Sequence, residues 1–342
     1  MRAAVMRHKR IEVGTVPDPV PGPGEVLART LACGICGSDL HALKHADKLV
    51  DAARASGAPF VPDLSKDVVM GHEFCAEILD FGPNTTRRIP VGRRVVSMPL
   101  LFRGTRIHGI GYSEEVPGGY GELMALSEPL LLEVPNGLAT EHAATTEPMA
   151  VGVHAVAKAQ LGKRDVPLVV GCGPVGLAVI AGLKLAHAET IVAADYSPMR
   201  RRLAAHLGAT VVVDPAQRPA MDAWREAAGG RGAVIFECVG VPGLIDSIMR
   251  DAPPQARIVV AGVCMEDDRI RPMFGINKEL SVQFVLGYTP DEFARTLRAL
   301  AEGEIDVAPI ITGRTGVAGV ADAFATLAQP ETQAKILVEP WR

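Results

Sequence analysis

Along residues 1–140 the apolar runs are short, and glycine and proline interrupt them often. Residues 2–6 and 25–31 read as strands, joined through the rigid turn-rich stretch Asp-Pro-Val-Pro-Gly-Pro-Gly at 18–24. Residues 46–55 have helical composition and end before Gly57, after which Pro59 and Pro62 break the chain. Residues 70–78 read as a turn into a strand, 91–96 as another, and 118–122 as a flexible return. This part is expected to be compact and β-rich. From residue 141 the pattern changes. Residues 141–161 are alanine-rich and apolar at helical spacing. Strands at 166–170, 190–194, 210–213, 233–237 and 257–261 then alternate with helices at 177–186, 199–207, 220–228 and 243–250. Alternation of this kind predicts a parallel sheet with helices on both faces. After about residue 290, helices at 291–302 and 319–328 and strands at 310–312 and 335–338 return to the first unit. The expected division is 1–149 with 288–342, and 150–287.

The bulk numbers narrow the function. A chain of 342 residues, 48% of them hydrophobic, suits two domains with sizeable cores. A net charge of −4 without a basic block argues against nucleic acid as a partner. The short cluster Arg200-Arg201-Arg202 reads as a solvated helix face. Six cysteines are too sparse for a disulfide scaffold and suggest a reducing compartment. Residues 1–13 hold Arg2, Arg7, His8, Lys9 and Arg10 and no apolar core, so no secretory signal is expected. No apolar run reaches the length of a membrane span. The expectation is a soluble, cytoplasmic protein.

The chemistry concentrates in Cys33-Gly34-Ile35-Cys36-Gly37-Ser38-Asp39-Leu40-His41. Read bare, it is a loop offering a soft metal ligand, a hydroxyl able to relay a proton and a terminal base. Further on stands Gly71-His72-Glu73. One thiolate, one imidazole and carboxylates from distant loops make an open, catalytic zinc site, whereas a closed structural site more often pairs cysteines at both ends. The competing reading of this stretch is a turn with buried cysteines.

A second motif is Gly171-Cys172-Gly173-Pro174-Val175-Gly176, with an expected strand before it, a helix after it and Asp195 nineteen residues beyond its last glycine. Gly171 permits the tight turn, Gly173 lets the backbone approach a pyrophosphate, and Gly176 lets helix and strand pack closely. The helix N-terminus offers unpaired N–H groups to phosphate. Asp195 would bind the adenosine ribose hydroxyls and repel a 2′-phosphate, which favours NAD over NADP; the nearby arginines, Arg200 among them, keep NADP open.

With both motifs in place, the chain resembles the medium-chain dehydrogenase/reductase superfamily, and within it the zinc-dependent alcohol and polyol dehydrogenases of the sorbitol and threonine type. Further segments carry the resemblance: Val91-Gly92-Arg93-Arg94-Val95, Gly118-Gly119-Tyr120-Gly121-Glu122, the Glu147-Pro148-Met149 segment running to His154, and Phe236-Glu237-Cys238-Val239-Gly240. The resemblance implies an α/β protein: a doubly wound Rossmann domain, plus a β-rich GroES-like catalytic domain. It makes Cys36 and His72 zinc ligands, and leaves open whether Glu73 or Glu147 fills the remaining position. It makes Asp39 the carboxylate that orients the ligand histidine, Ser38 the hydroxyl that takes the alcohol proton, and His41 the exit of that relay. Gly171, Gly173, Pro174, Val175, Gly176, Asp195, Arg200, Val239 and Gly240 are the cofactor-binding residues it implies. His108 and His154 read as packing or surface residues, and Cys33, Cys75, Cys172, Cys238 and Cys264 as small buried ones.

Two departures stand out. Many relatives carry four close cysteines for a structural zinc, but no cysteine lies between Cys75 and Cys172. One catalytic zinc per chain is therefore expected, with 97–116 holding its shape by packing. The segment 42–70 is longer than usual, and is read either as reshaping the substrate pocket or an oligomer contact, or as an inert surface insertion. The activity implied is reversible hydride transfer from an alcohol, a secondary alcohol or polyol by preference, to NAD. Competing readings are a zinc-free NADPH reductase of quinones or enones, and a non-enzymatic dinucleotide-binding protein. Residues 280–287 resemble the strand through which relatives pair, so a homodimer or homotetramer is expected.

Overall fold

The computed structural model describes residues 1–58, 61, 63–135, 137–329 and 332–342; the expected breaks at Pro59 and Pro62 lie outside them. Two sheets organise the chain. The first has seven strands, running in space Leu131–Glu133, Arg94–Ser97, Glu73–Phe81, Glu25–Gly34, Lys335–Val338 and Ile311–Thr315, with Leu123–Ser127 also paired to Glu25–Gly34. A three-stranded sheet of Arg10–Thr15, Arg2–Arg7 and Val68–Val69 stands beside it.

The second sheet has six strands, all parallel, in the order Val211–Val213, Val192–Ala194, Asp165–Val170, Gly232–Glu237, Arg257–Val260, Ser281–Phe284. The interior strands are almost wholly apolar, Val-Pro-Leu-Val-Val and Ala-Val-Ile-Phe among them, as burial on both faces requires. Strand order reverses beside Asp165–Val170, the place where open α/β sheets bind ligands. This is the doubly wound α/β architecture expected. No helix among the described residues is long and apolar enough to cross a membrane.

One core cluster joins the two sheets, since Ala32, Cys75 and Val96 share it with Val169, Leu177 and Phe236. Its bridge is the helix Thr146–Lys158, packed on Pro174–Leu185. A Cβ on Gly152 would stand 2.1 Å from the Ala178 carbonyl, so only glycine lets these helices touch. His154 reaches Glu292 of the helix Pro290–Ala301 at 2.8 Å, which ties that helix to the same bridge.

Several expectations are corrected. The nine-residue stretch at 33–41 is not a loop throughout, because Gly37–Lys44 is helical with Cys36 as its cap. Asp39 Oδ2 accepts the Cys36 backbone N–H at 3.1 Å and closes the helix start, which the two glycines disguise in the sequence. The segment 141–161 breaks into Thr140–Ala143 and Thr146–Lys158. Thr145 and Thr146 donate their hydroxyls back to His142 and Ala143 carbonyls, each at 2.7 Å, which competes with helix continuation.

Residues 118–121 are packed rather than flexible. Gly118, Gly119 and Tyr120 donate backbone N–H groups to Val69, Gly71 and Met70 at 2.8–2.9 Å. A Cβ on Gly118 would meet the Gly71 carbonyl at 2.5 Å, and one on Gly119 would meet Cys33 Sγ at 2.6 Å. Cys33, Cys75, Cys172 and Cys238 are buried as expected, but Cys264 is half-buried, its thiol turned to the Glu266 carbonyl. The segment 97–116 forms a hairpin, Leu100–Arg103 with Arg106–Gly109, that packing alone does not hold. Arg103 clamps the buried Glu25 carboxylate through Nε at 2.9 Å and its terminal nitrogen at 3.2 Å.

Candidate metal and dinucleotide site

The strands Glu25–Gly34 and Glu73–Phe81 run antiparallel, with Gly34 opposite Glu73. That register brings the turn carrying Cys36 against the residues that begin the second strand. Gly34 is required there, since a Cβ would lie 2.0 Å from Glu73 Oε2. Gly71, at φ +100°, swings His72 into the same space. The donor atoms of Cys36, His72 and Glu73 all lie within 4.8 Å of one another, the only such group of three among the described residues.

Around this group the polar contacts are dense. His72 Nδ1 faces Asp39 Oδ1 at 3.3 Å, without the alignment of a full hydrogen bond. Asp39, fully buried, also accepts the hydroxyl of Tyr120 at 2.6 Å, and the Tyr112 hydroxyl oxygen lies 3.3 Å from its Oδ1. Burial would raise its carboxyl, but His72, the Tyr120 hydroxyl and the Cys36 N–H outweigh that and hold it below the usual range. His72 is driven down by burial and more strongly up by Asp39 and Cys36, with a net rise. With Nδ1 turned to a carboxylate, Nε2 is the nitrogen left for a metal. A thiol, an imidazole and a carboxylate at this spacing fit zinc, whose bonds to sulfur and nitrogen are roughly 2.3 and 2.0–2.1 Å.

Glu73 brings a partner the sequence did not announce. Lys335, buried in the terminal strand, donates to both Glu73 oxygens at 2.8 and 2.6 Å and to the Ile35 carbonyl at 3.0 Å. Burial alone would lower the lysine; the charges of Glu73 and Cys36 overcome it. Glu147 is not one of the three clustered donors. Its Oε1 accepts the Tyr288 hydroxyl at 2.9 Å, and burial followed by Glu73 pushes its carboxyl up to about 7 against the pull of His72.

Ser38 lies on the helix Gly37–Lys44 with Asp39, and its Oγ accepts the Tyr112 hydroxyl at 2.8 Å. His41 lies one turn further on, half-buried, stacked at 6.5 Å on His45 and in no hydrogen bond with Ser38. Burial first, then His45 and Lys44, lower its pKa. Tyr112 also lines a cavity of about 390 Å³ with residues 105–109 and 113–115 and with Val61 of the long 42–70 segment. His108 sits in that wall, its Nδ1 at 3.3 Å from Ser113 Oγ.

The glycine turn lies at the reversal of the parallel sheet. A Cβ on Gly171, at φ +90°, would meet Val239 Cγ2 at 2.4 Å, and one on Gly176 would meet the Gly171 carbonyl at 1.9 Å. Gly173 caps the helix Pro174–Leu185, with Val175 in its first turn, and a Cβ added to it would meet only the Arg200 guanidinium, at 3.8 Å. A cation beside a helix N-terminus is the kind of surroundings an anion favours. Asp195 closes the next strand, its Oδ2 accepting Cys172 N–H at 2.7 Å and its Oδ1 accepting Ser197 N–H at 2.8 Å. Opposite them, Val239 is exposed and Gly240 takes φ +73°, both N–H groups bound by the buried Glu237 carboxylate at 2.7 and 2.8 Å.

The residues that sequence reasoning missed are Lys335, Tyr288 and the roles of Tyr112 and Tyr120. A lysine inside the apolar run Ala-Lys-Ile-Leu-Val was the one available signal.

Residues 22–136 match the family model described as the alcohol dehydrogenase GroES-like domain, and residues 174–302 the one described as zinc-binding dehydrogenase. The chain is 31% identical to (R,R)-butanediol dehydrogenase of Bacillus subtilis (strain 168), across 99% of this chain and 100% of that protein. It is 30% identical to L-threonine 3-dehydrogenase of Streptomyces coelicolor, across 92% and 91% of the two chains. Among solved structures, 2R,3R-butanediol dehydrogenase from Bacillus subtilis superposes with a TM-score of 0.84 at 30% identity, covering 99% of each chain.

Proposed function

The chain belongs to the zinc-dependent alcohol and polyol dehydrogenases of the medium-chain superfamily, and from that premise we propose that it oxidises a secondary alcohol or polyol reversibly with NAD, at a single catalytic zinc. The observation that carries this is the group of Cys36, His72 and Glu73 donors within 4.8 Å of one another. Bound there, zinc supplies a Lewis acid to the alcohol oxygen, and NAD supplies the hydride acceptor.

The protein's own groups do the rest. Cys36 and His72 hold the metal, with Glu73 or Glu147 as the carboxylate ligand. Asp39 orients His72 through Nδ1. Ser38 takes the alcohol proton at Oγ and gives its own hydrogen onward. His41, whose pKa burial lowers, is neutral at pH 7 and receives the proton at the protein surface. Gly173 and the helix it caps receive the pyrophosphate, with Arg200 beside them. Asp195 retains lone pairs beyond its two backbone contacts for ribose hydroxyls, and its charge disfavours a 2′-phosphate.

The catalytic unit is taken as 1–149 with 288–342, and the dinucleotide unit as 150–287. The strand Ser281–Phe284 ends its sheet with Val282 and Phe284 exposed, an edge suited to pairing between two copies. All six cysteines are free, which fits a reducing cytoplasm.

The test is NADH formation across primary alcohols, secondary alcohols and polyols, with and without a zinc chelator. Chelator-sensitive turnover of secondary substrates with NAD supports the proposal. Turnover that survives full removal of zinc, or that requires NADP, refutes it.

A further inference from the structure

Ser38 is the residue on which the proposed proton path depends, and a serine hydroxyl alone is a poor fixture. It has three staggered positions about χ1, and in the first turn of a helix it readily turns to backbone groups. Here its Oγ accepts the Tyr112 hydroxyl at 2.8 Å. The same phenol approaches Asp39 Oδ1 at 3.3 Å, and its ring lies 5.3 Å from that of His72.

Tyr112 is itself fixed by backbone. It follows Gly111 at φ +84°, where a Cβ would meet the Gly71 backbone at 2.9 Å. Gly71 also turns His72 into the site, so one close backbone contact seats both the tyrosine and the histidine.

A hydroxyl has one hydrogen and two lone pairs. If one lone pair of Ser38 is taken by Tyr112, one lone pair and one hydrogen remain. Those are what a relay uses: the lone pair takes the alcohol proton while the hydrogen leaves to the next acceptor on the path. Tyr112 keeps its own proton throughout, so no charge builds up on it.

We propose that Tyr112 is a positioning residue of the proton relay, holding the Ser38 hydroxyl in the orientation that passes a proton. The role rests on the assignment of Ser38 to the relay. Tyr112→Phe removes the hydroxyl and keeps the ring that lines the 390 Å³ cavity. The kcat for alcohol oxidation falls about tenfold, a fraction of the 10²–10⁴ carried by a positioned proton-transfer group. KM for the alcohol and for NAD, zinc content and melting temperature stay near the starting values.

Two further variants separate this from other roles. Because Tyr112 acts through Ser38, Ser38→Ala with Tyr112→Phe is no slower than Ser38→Ala alone. Ser38→Thr in the Tyr112→Phe background recovers turnover, since a branched Cβ stiffens χ1 without the phenol. Multiplying losses in the double variant, or an unchanged kcat in Tyr112→Phe beside a slow Ser38→Ala, overturns the role of Tyr112 alone. A Tyr112→Phe protein that loses zinc together with turnover assigns Tyr112 to seating His72 and overturns it too. An unchanged kcat in Ser38→Ala removes the relay assignment itself, and Tyr112's role with it.

Discussion

Lys335 Nζ donates to both carboxylate oxygens of Glu73, at 2.8 and 2.6 Å, from a position 262 residues away in the chain. Both side chains are buried, so neither charge has water as a substitute partner. Lys335→Met therefore leaves Glu73 uncompensated and costs ~3–5 kcal/mol of stability. It also releases the Ile35 carbonyl beside Cys36, so zinc affinity falls. Urea denaturation and metal analysis of the variant check both effects. Adding Glu73→Gln recovers part of the lost stability, because the orphaned charge is gone.

Cys36→Ser replaces the soft donor of the group of three. Zinc content drops well below one per chain, and turnover falls at least a hundredfold. NADH binding, followed by fluorescence, stays within about threefold, since the glycine turn at 171–176 lies in the other sheet. Loss of NADH binding together with zinc would contradict this separation.

Asp195→Ala removes a negative charge and two backbone contacts, to Cys172 and Ser197. The preference for NAD over NADP narrows by at least tenfold in kcat/KM. The loss of the two contacts lowers the melting temperature as well. Asp195→Asn, which keeps one acceptor oxygen, shifts the preference with a smaller loss of stability.

Gly152→Ala introduces a Cβ at 2.1 Å from the Ala178 carbonyl. Helices Thr146–Lys158 and Pro174–Leu185 must then move apart, costing on the order of 1–3 kcal/mol or more. Because Glu147 sits on the first of these helices, the variant loses activity beyond what its stability explains. Thermal unfolding and kcat measured well below the melting temperature test the two parts.

Glu128 is buried and accepts the Thr86 N–H at 2.7 Å and its hydroxyl at 3.1 Å. Burial alone would raise its carboxyl; the Thr86 contacts and the N–H groups of Arg87 and Arg88 outweigh burial and lower it. A carboxyl lowered on folding contributes stability that is present above its unfolded pKa, near 4.3, and is lost as pH falls through the folded value. Glu128→Gln is therefore less stable than the parent at pH 7, and the gap closes in acid. Denaturation curves at pH 7 and below pH 4 show whether it does.

What was legible in the sequence was whatever local pattern specifies. The helices 46–55 and 220–228 and the strand 335–338 match their observed bounds because their composition or periodicity is regular and their ends are marked. The glycine turn was legible because each glycine answers a separate steric demand. The helix at Gly37–Lys44 was hidden by two glycines, although Asp39 closes its start. The strands at 100–103 and 106–109 were not foreseen either, since Arg103 is fixed by Glu25, a partner 78 residues away. Lys335 shows in the sequence only as a lysine inside an apolar run, and its role, like that of Tyr112, lies in partners that only the tertiary fold supplies.

The strand Lys335–Val338 is not an edge; it lies between Glu25–Gly34 and Ile311–Thr315. On the ribosome, the first unit therefore emerges long before the strand that completes its sheet. At ~5–20 residues per second, Glu73 waits tens of seconds for its counter-charge, and the gap beside Glu25–Gly34 stays open meanwhile. The zinc-side unit is thus finished only once residues 335–338 have emerged, while the dinucleotide sheet, continuous in sequence, can close before it.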